Sequence, residues 1–305
     1  MPFFTIIIPT YNRASLVYKA VKSVLDQAFS DLELLVIDDG STDHTKEALA
    51  EFNSDPRFVY VYQNNTKESG ARNNGMRLAK GEWICLLDSD DIFRPNHLEV
   101  LHKRIAENQF KPGIYHTLVM RILPDGSTKP QTLALRNPDN LVWGIYKNEL
   151  LPSSSCMHSS ISKAYTFRED IFSGEDSEFF CRVALDYPII TIEEHTVDYM
   201  VHPQSAVEVY GARHVYFGNR ILYWFTVKDN ERLSSKFPKG FLNEKIAQHY
   251  QWKGMSHAAN REHLETIKCY FWSAYYWPSN LSKLGFFKEL VSLLLRKPSA
   301  NPAKA

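Results

Sequence analysis

The sequence predicts an α/β fold: a mostly parallel central sheet with helices on its faces, followed by a C-terminal helical region. Three observations lead to this prediction. Short apolar, β-prone runs alternate with segments of helical periodicity up to residue 107, polar clusters follow the strand ends, and the pattern from about residue 211 is helical. Strands that alternate with helices pair in parallel through right-handed crossovers.

Four strands and four helices are expected in the first part of the chain. The predicted strands are 3–9, 32–37, 58–62 and 83–87, and the helices begin near residues 16, 41, 70 and 95. Ser41, Thr42 and Asp43 are suitable capping residues, and Pro95 fits a first helical turn. Further on, the pattern predicts a hairpin over 114–126, a strand over 157–162, a helix over 175–185 and strands over 189–192 and 197–201.

Composition limits the classes of protein to which the chain can belong. Its 305 residues include 35 Lys or Arg and 35 Asp or Glu, so no net charge favours nucleic acid as a partner. Four scattered cysteines without a C-x-x-C pair indicate free thiols. The first residues read directly into a predicted strand, without the charged n-region or cleavage site typical of a leader, and no apolar run approaches the roughly 18 residues that span a bilayer. We expect a cytoplasmic protein, with a peripheral contact at the inner face of the membrane left open.

Polar clusters follow three of the predicted strands, at 10–13, 38–41 and 88–91. Ligands of open parallel sheets bind outside the carboxyl ends of the strands, so these loops should converge on one crevice. The cluster Asp88-Ser89-Asp90-Asp91 crowds three carboxylates, which repel each other unless a cation or donor groups satisfy them. Such ligands suit Mg²⁺ or Mn²⁺. The alternative interpretation is a solvated acidic turn.

Five segments in order carry a more specific signal, and together they resemble family 2 glycosyltransferases of the GT-A fold. The segments are 5–13 (TIIIPTYNR), 36–43 (VIDDGSTD), 70–75 (GARNNG), 87–91 (LDSDD) and 174–176 (GED). The resemblance covers roughly residues 3–205. It implies a catalytic domain over 1–210, with a nucleotide-binding part at about 1–113 and an acceptor-binding part at about 114–210. Residues 211–305 would form a separate helical region.

The resemblance implies that a divalent ion, Mn²⁺ or Mg²⁺, holds the donor diphosphate. Asp90 is the first choice for a metal ligand, and Asp88 would bond the ribose or reach the metal through water. His202 would complete the metal site or bond the diphosphate, although a His held only by the fold is equally consistent with the sequence. Asp91 would contact donor or acceptor, or cap the following turn.

The resemblance also assigns residues to the nucleotide of a UDP-sugar. Asp39 would accept from the base, Tyr11 would stack on it, and Thr10 would bond the base edge or ribose. The remaining donor-binding assignments are Asn12, Arg13, Arg72, Asp88 and Ser89. The structural alternatives are a half-buried loop aromatic for Tyr11 and a surface salt bridge for Arg72.

Sugar transfer also needs a base for the acceptor hydroxyl. By resemblance Asp176 is this base and Glu175 orients acceptor or donor sugar; the alternative for Asp176 is a helix cap. Displacement opposite the leaving group would invert the anomeric carbon. His158 is a weaker candidate for contact with the acceptor, which would be a glycan or lipid-linked saccharide.

The C-terminal region is rich in aromatic residues and ends in a basic amphipathic stretch between Leu284 and Lys297. Packing within the protein or a homo-oligomer contact is the simpler interpretation, and a membrane contact is the alternative. Two other functions stay open: a sugar nucleotidyltransferase and a non-catalytic nucleotide-sugar-binding or assembly protein. No G-x-G-x-x-G follows the first strand, which argues against a dinucleotide dehydrogenase.

Overall fold

The computed structural model describes residues 1–132, 140–148, 150–202, 213–282 and 284–295. The chain divides into two compact units, Met1–Pro203 and Gln204–Ala305. The predicted boundary at residue 210 lies outside the described residues. None of the helices within them is both long and apolar enough to cross a membrane.

In the described part of the first unit, nine strands form one sheet in the order β3-β2-β1-β4-β8-β6-β9-β5, with β7 beside β6. The strands are β1 (Phe4–Thr10), β2 (Leu32–Asp38), β3 (Phe58–Tyr62), β4 (Trp83–Leu86), β5 (Ile92–Phe93), β6 (Ile114–Ile122), β7 (Thr128–Pro130), β8 (Ser155–His158) and β9 (Ile189–Met200). Strands β1 to β4 pair in parallel with one another, as predicted. Strand β8 then joins β4 antiparallel and extends the sheet.

Helices lie on both faces of this sheet. The helices in the described part of the unit are α1 (Ala14–Leu25), α2 (Thr45–Ala48), α3 (Lys67–Leu78), α4 (His97–Glu107), α5 (Leu141–Asn148), α6 (Ser159–Ala164) and α7 (Glu175–Val183). Alternate residues of β1 face opposite sides, so Ile6 and Ile8 enter one buried cluster with α1 and α4. Ile7 faces α3, where a Cβ on Gly75 would lie 2.4 Å from Ile7 Cγ2. Gly75 therefore permits the close approach of α3 to the sheet.

The structure corrects three details of the predicted pattern. The strand expected over 157–162 ends at His158, and α6 begins at Ser159. The two short strands expected between 189 and 201 are one continuous strand, β9. Exposed acidic residues at 193 and 194 interrupt the apolar pattern, yet the backbone continues to pair with β6 across two irregularities. The two-residue strand β5 is too short to leave a periodic signal.

The second unit is helical in its described part. Its helices are α8 (Arg213–Asp229), α9 (Glu231–Ser234), α10 (Phe241–Ala259), α11 (His263–Tyr276) and α12 (Leu284–Leu295). Helix α10 packs against both α8 and α11. Phe286 and Leu293 of α12 are buried against Ala258 and Tyr270. This agrees with the simpler interpretation of the C-terminal stretch, in which its apolar face packs within the protein.

Candidate active site

The three polar clusters of the sequence lie at one edge of the sheet. Thr10 at the end of β1 is in register with Asp38 at the end of β2, and Ile7 is in register with Leu86 of β4. The backbone N–H of Asp39 donates to the Thr10 carbonyl at 2.9 Å, which extends the pairing past the strand ends. The loops that follow β1, β2 and β4 therefore emerge side by side.

Asp90 connects the loop after β4 to two other parts of the fold. Arg13 Nη1 donates to Asp90 Oδ2 at 2.8 Å, and His202 Nε2 lies 3.0 Å from the same oxygen. Arg13 also reaches Ser89 Oγ at 3.4 Å. Residues that are separated by more than 70 positions in the sequence thus meet at one carboxylate.

Arg72, on α3, is the central cation of the site. Its side chain is only 3% exposed, and it donates from Nη2 to Asp88 Oδ1 at 2.7 Å and from Nη1 to Glu175 Oε1 at 3.3 Å. Burial lowers the pKa of Arg72, but Asp88, Glu68 and Glu175 more than offset this and leave the pKa raised. The guanidinium therefore stays charged, and it links the 88–91 segment to the 174–176 segment.

Glu175 and Asp176 open helix α7 after Gly174, whose φ of 87° is a left-handed conformation that favours glycine. Asp176 Oδ1 accepts from the Ser177 backbone N–H at 2.6 Å. Burial and the neighbouring Asp176 raise the pKa of Glu175 to about 7, against the opposing effect of Arg72. Two carboxyl groups with different surroundings therefore stand at the start of one helix.

Asp91 is a buried anchor of the loop. Its Oδ2 accepts from Ser153 Oγ at 2.5 Å and its Oδ1 from the Met200 backbone N–H at 3.1 Å. Burial, with the charges of Asp90 and Asp88, raises the pKa of Asp91 well above its usual value. Asp91 thus holds the loop against two distant parts of the chain, which differs from the expected cap of the following turn, and we leave it out of the proposed acceptor site.

The loops after β1 and β2 hold each other in place. Asn12 Oδ1 accepts from the backbone N–H of Thr42 at 2.7 Å, and Asp39 Oδ1 accepts from Gln63 Nε2 at 2.7 Å and from the Thr66 N–H at 2.8 Å. Tyr11 is half exposed, whereas Thr10 is buried. Asp39 and Asn12 are therefore fixed by loop contacts, and the ring of Tyr11 is accessible to a ligand.

His158 does not lie with the other candidates. It is in register with Trp83, at the start of β4, whereas Asp88 follows the end of that strand. Its Nδ1 accepts from the Ser160 backbone N–H at 3.2 Å and so caps α6. Burial lowers its pKa. The expected acceptor contact of His158 is therefore replaced by a capping role.

Sequence reasoning missed one residue that shapes the site. Ser153 Oγ donates to Asp91 and also accepts from the Asp88 backbone N–H at 3.1 Å. It fixes both ends of the acidic loop from a short 3₁₀ turn, Pro152–Ser154. The sequence alone does not distinguish the hydroxyls of Ser153, Ser154 and Ser155. The fold places the hydroxyl of Ser153 against the acidic loop.

The donor groups of the site suit a divalent ion. Among the described residues, no three His, Cys, Asp or Glu side chains are already grouped as ligands of a metal. Asp90 Oδ2 and His202 Nε2 are nevertheless 3.0 Å apart, and a carboxylate with an imidazole is a set that Mn²⁺ accepts. Arg13 already donates to the same Asp90 oxygen, so a bound ion would compete with this guanidinium.

Comparison with known families decides the class of the first unit. Residues 5–144 match the model described as Glycosyl transferase family 2. The chain contains a family 2 glycosyltransferase domain. An uncharacterized glycosyltransferase of Rickettsia conorii is 42% identical over 106 residues, which is 35% of this chain and 18% of that protein.

Two relatives of this glycosyltransferase domain carry more descriptive names. The chondroitin synthase of Escherichia coli is 29% identical over 213 residues, 67% of this chain and 30% of the relative. The GalNAc(5)-diNAcBac-PP-undecaprenol beta-1,3-glucosyltransferase of Campylobacter jejuni is 39% identical over 110 residues, 35% of this chain and 36% of the relative. The chain thus spans at most 36% of the length of these relatives.

Solved structures confirm the GT-A fold. S. aureus TarS 1-349 in complex with UDP-GlcNAc superposes with a TM-score of 0.65 at 16% identity, covering 95% of this chain and 89% of that one. The mannosyltransferase PcManGT from Pyrobaculum calidifontis, in complex with GDP-Man and Mn²⁺, gives 0.59 at 16% identity, with 96% and 84% covered. At these identities the likeness concerns the fold.

Proposed function

We propose that this chain is an inverting glycosyltransferase that moves a sugar from a UDP-sugar to a hydroxyl of a glycan or lipid-linked saccharide. One observation carries the proposal. The buried Arg72 binds Asp88 and Glu175, so a single cation joins the acidic loop after β4 to the acidic start of α7. A donor at the first segment and an acceptor at the second would then be neighbours.

The donor would lie across the loops after β1, β2 and β4. Tyr11 has an accessible ring that would stack on the base. Asp39, whose Oδ1 is held by Gln63 and Thr66, would accept from the base N–H groups. Thr10, Asn12 and Ser89 would shape the pocket around base and ribose, as the resemblance implies. The fixed position of Asp39 favours affinity, because a ligand would not have to order that side chain.

The diphosphate would lie at Asp90, where positive charge already collects. Arg13 and Arg72 hold the carboxylates of Asp90 and Asp88, and both guanidinium groups can donate to phosphate oxygens. A Mn²⁺ or Mg²⁺ ion held by Asp90 and His202, with Asp88 nearby, would supply charge that stabilises the leaving diphosphate. The donor groups present fit such an ion.

The base would be Asp176, with Glu175 as its neighbour and orienting group. The Glu175 side chain is buried and bonded to Arg72. The Asp176 side chain, also in the first turn of α7, is half-buried. A carboxylate on the acceptor side takes the hydroxyl proton as the oxygen attacks, and the diphosphate leaves on the opposite face. This in-line displacement inverts the configuration at the anomeric carbon.

The names of similar proteins support the substrate classes. TarS is described with UDP-GlcNAc, which supports a UDP-sugar as donor. The Campylobacter relative is named for an undecaprenol-linked acceptor, and chondroitin synthase is named for a polysaccharide product. A glycan or lipid-linked saccharide is therefore the proposed acceptor.

The replacement Asp176→Asn tests the proposal. It should keep UDP binding, measured by calorimetry, and lower the rate of UDP release in the presence of acceptor by about 10²-fold or more. Asp125→Asn is the matched control, because Asp125 is exposed in a turn. Wild-type turnover by Asp176→Asn would remove Asp176 from the base role, and donor binding without turnover by the wild-type chain would favour a non-catalytic binding protein.

A further inference from the structure

Helix α11 (His263–Tyr276) shows an unusual distribution of its side chains. The residues that it buries are Thr266, Cys269, Tyr270 and Ser273, three of which are small. The outward stripe consists of Leu264, Ile267, Phe271 and Tyr275, at spacings of three and four residues that place them on one helical face. This helix therefore turns its more apolar face away from the unit.

The exposure of this stripe is large. Leu264 is 65% exposed, Phe271 is 62% exposed and Tyr275 is 64% exposed. Trp272 lies beside them, 41% exposed, with its ring 5.6 Å from that of Phe271 and 5.5 Å from that of Tyr275. Contiguous apolar patches on a protein surface mark places where another surface binds.

Charge is divided unevenly between the two units. Residues 204–305 contain 15 Lys or Arg and 7 Asp or Glu, whereas residues 1–203 contain 20 and 28, so the net charges are +8 and −8. The two net charges cancel, so the whole chain has a net charge of zero. The unit that carries the apolar stripe is thus strongly basic, and it attracts anionic surfaces.

We propose that the outward face of α11 (Leu264, Ile267, Phe271, Trp272 and Tyr275) docks onto a lipid bilayer that contains anionic lipid. Aliphatic and aromatic side chains in a basic setting are the combination with which helices bind at membrane interfaces. Basic charge adds attraction to an anionic leaflet. A symmetric dimer formed through this face would bring two helical units of net charge +8 together, and like charges oppose that pairing.

The proposed membrane contact lies on a different helix from the C-terminal one that the sequence suggests. The C-terminal helix α12 is apolar, but its Phe286 and Leu293 are buried against Tyr270 and Ala258. Those side chains stabilise the unit and are not accessible to lipid. Val291 and Leu295 of α12 are exposed, but four large apolar side chains and a Trp form a continuous exposed stripe on α11.

Vesicle co-sedimentation of the 305-residue chain tests the proposal. The protein should sediment with vesicles of phosphatidylcholine and phosphatidylglycerol, and much less with phosphatidylcholine alone or at high salt. Phe271→Ser should weaken partition to the mixed vesicles by about tenfold or more, because burial of a Phe ring in the bilayer is lost. Phe110→Ser is the matched control, since Phe110 is a 45% exposed phenylalanine of the first unit.

Two further measurements keep the outcome decisive. Thermal unfolding should show Phe271→Ser to be as stable as the wild type, so that loss of partition is not loss of folding. Equal partition of Phe271→Ser and wild type, or equal binding to both kinds of vesicle, would overturn the proposal. Size-exclusion chromatography showing a wild-type dimer that Phe271→Ser dissociates, without vesicle binding, would assign the face to self-association and also overturn it.

Discussion

The two units depart from the usual distribution of side chains in opposite directions. The first unit buries charged side chains, namely Arg72, Asp91 and Glu175, near the carboxyl ends of its parallel strands. The second unit exposes apolar groups: Phe271 and Leu264 project from α11. Each arrangement costs free energy in the isolated chain, and each marks a place where we propose that a ligand or a surface binds. A buried ion network and an exposed apolar stripe are therefore comparable signals of function.

The largest effect is expected for Arg72→Met, which tests whether the buried charges depend on one another. The replacement leaves the carboxylates of Asp88 and Glu175 without their shared cation, so the free energy of unfolding should fall by about 3–5 kcal/mol. Chemical denaturation measures this loss. In the control Arg94→Met, the ion pair with Asp198 is partly exposed, and the loss should be about 1 kcal/mol or less. Similar losses in the two variants would remove the contrast between buried and surface charge.

A second effect concerns pH. The folded protein raises the pKa of Glu175 from 4.5 to about 7, so it retains a proton that the unfolded chain releases between these values. Stability from this group is therefore greatest below the unfolded pKa and falls as pH rises to about 7. The amide side chain of the Glu175→Gln variant does not titrate. As pH rises from 4.5 to about 7, the free energy of unfolding of Glu175→Gln should therefore increase relative to that of wild type by up to about 3 kcal/mol.

Denaturation of wild type and Glu175→Gln at several pH values between the two pKa values checks this prediction. The difference between the two proteins reports the titration of Glu175 together with its coupling to Asp176, because more distant titrating groups cancel. A difference that does not change with pH would mean that the Glu175 carboxyl is not forced toward its neutral form by its surroundings.

The smallest effect is expected in the second unit. Phe271→Ser should change the free energy of unfolding by less than about 0.5 kcal/mol, because the ring makes little buried contact. Phe286→Ser, at a buried phenylalanine of α12, should cost about 3 kcal/mol. Thermal unfolding compares the two. If Phe271→Ser were as destabilising as Phe286→Ser, the exposed stripe would belong to the core of the unit and the comparison between the units would fail.

The sequence predicted much of the first unit because its signals are local. The apolar runs of β1 to β4 and the periodicity of α1, α3 and α4 follow from residues that are near in the chain. Strand β9 was harder, since its pairing with β6 across polar residues is a long-range property. The α11 stripe was also not predicted, because apolar residues at helical spacing look the same whether they face inward or outward.

The candidate site, too, was predicted only in part from the sequence. The strand-end rule and the resemblance brought Asp88, Asp90 and Arg72 to one edge, and the structure places them there. His158 was placed wrongly, because periodicity does not tell which end of β4 lies beside it. The resemblance already assigned Asp90 and His202 to one metal site, whereas the ion pair of Arg13 with the same carboxylate was beyond sequence reasoning, since it joins two separate loops.

Calorimetric titration of UDP, with and without Mn²⁺, probes the proposed diphosphate site without requiring the sugar or the acceptor to be known. We expect Mn²⁺ to strengthen binding of UDP to the wild type and to the control Asp125→Asn. In Asp90→Asn this strengthening should be lost, with affinity lower by at least about tenfold. Equal UDP affinity in all three proteins, unaffected by Mn²⁺, would contradict a cation-assisted diphosphate site at Asp90.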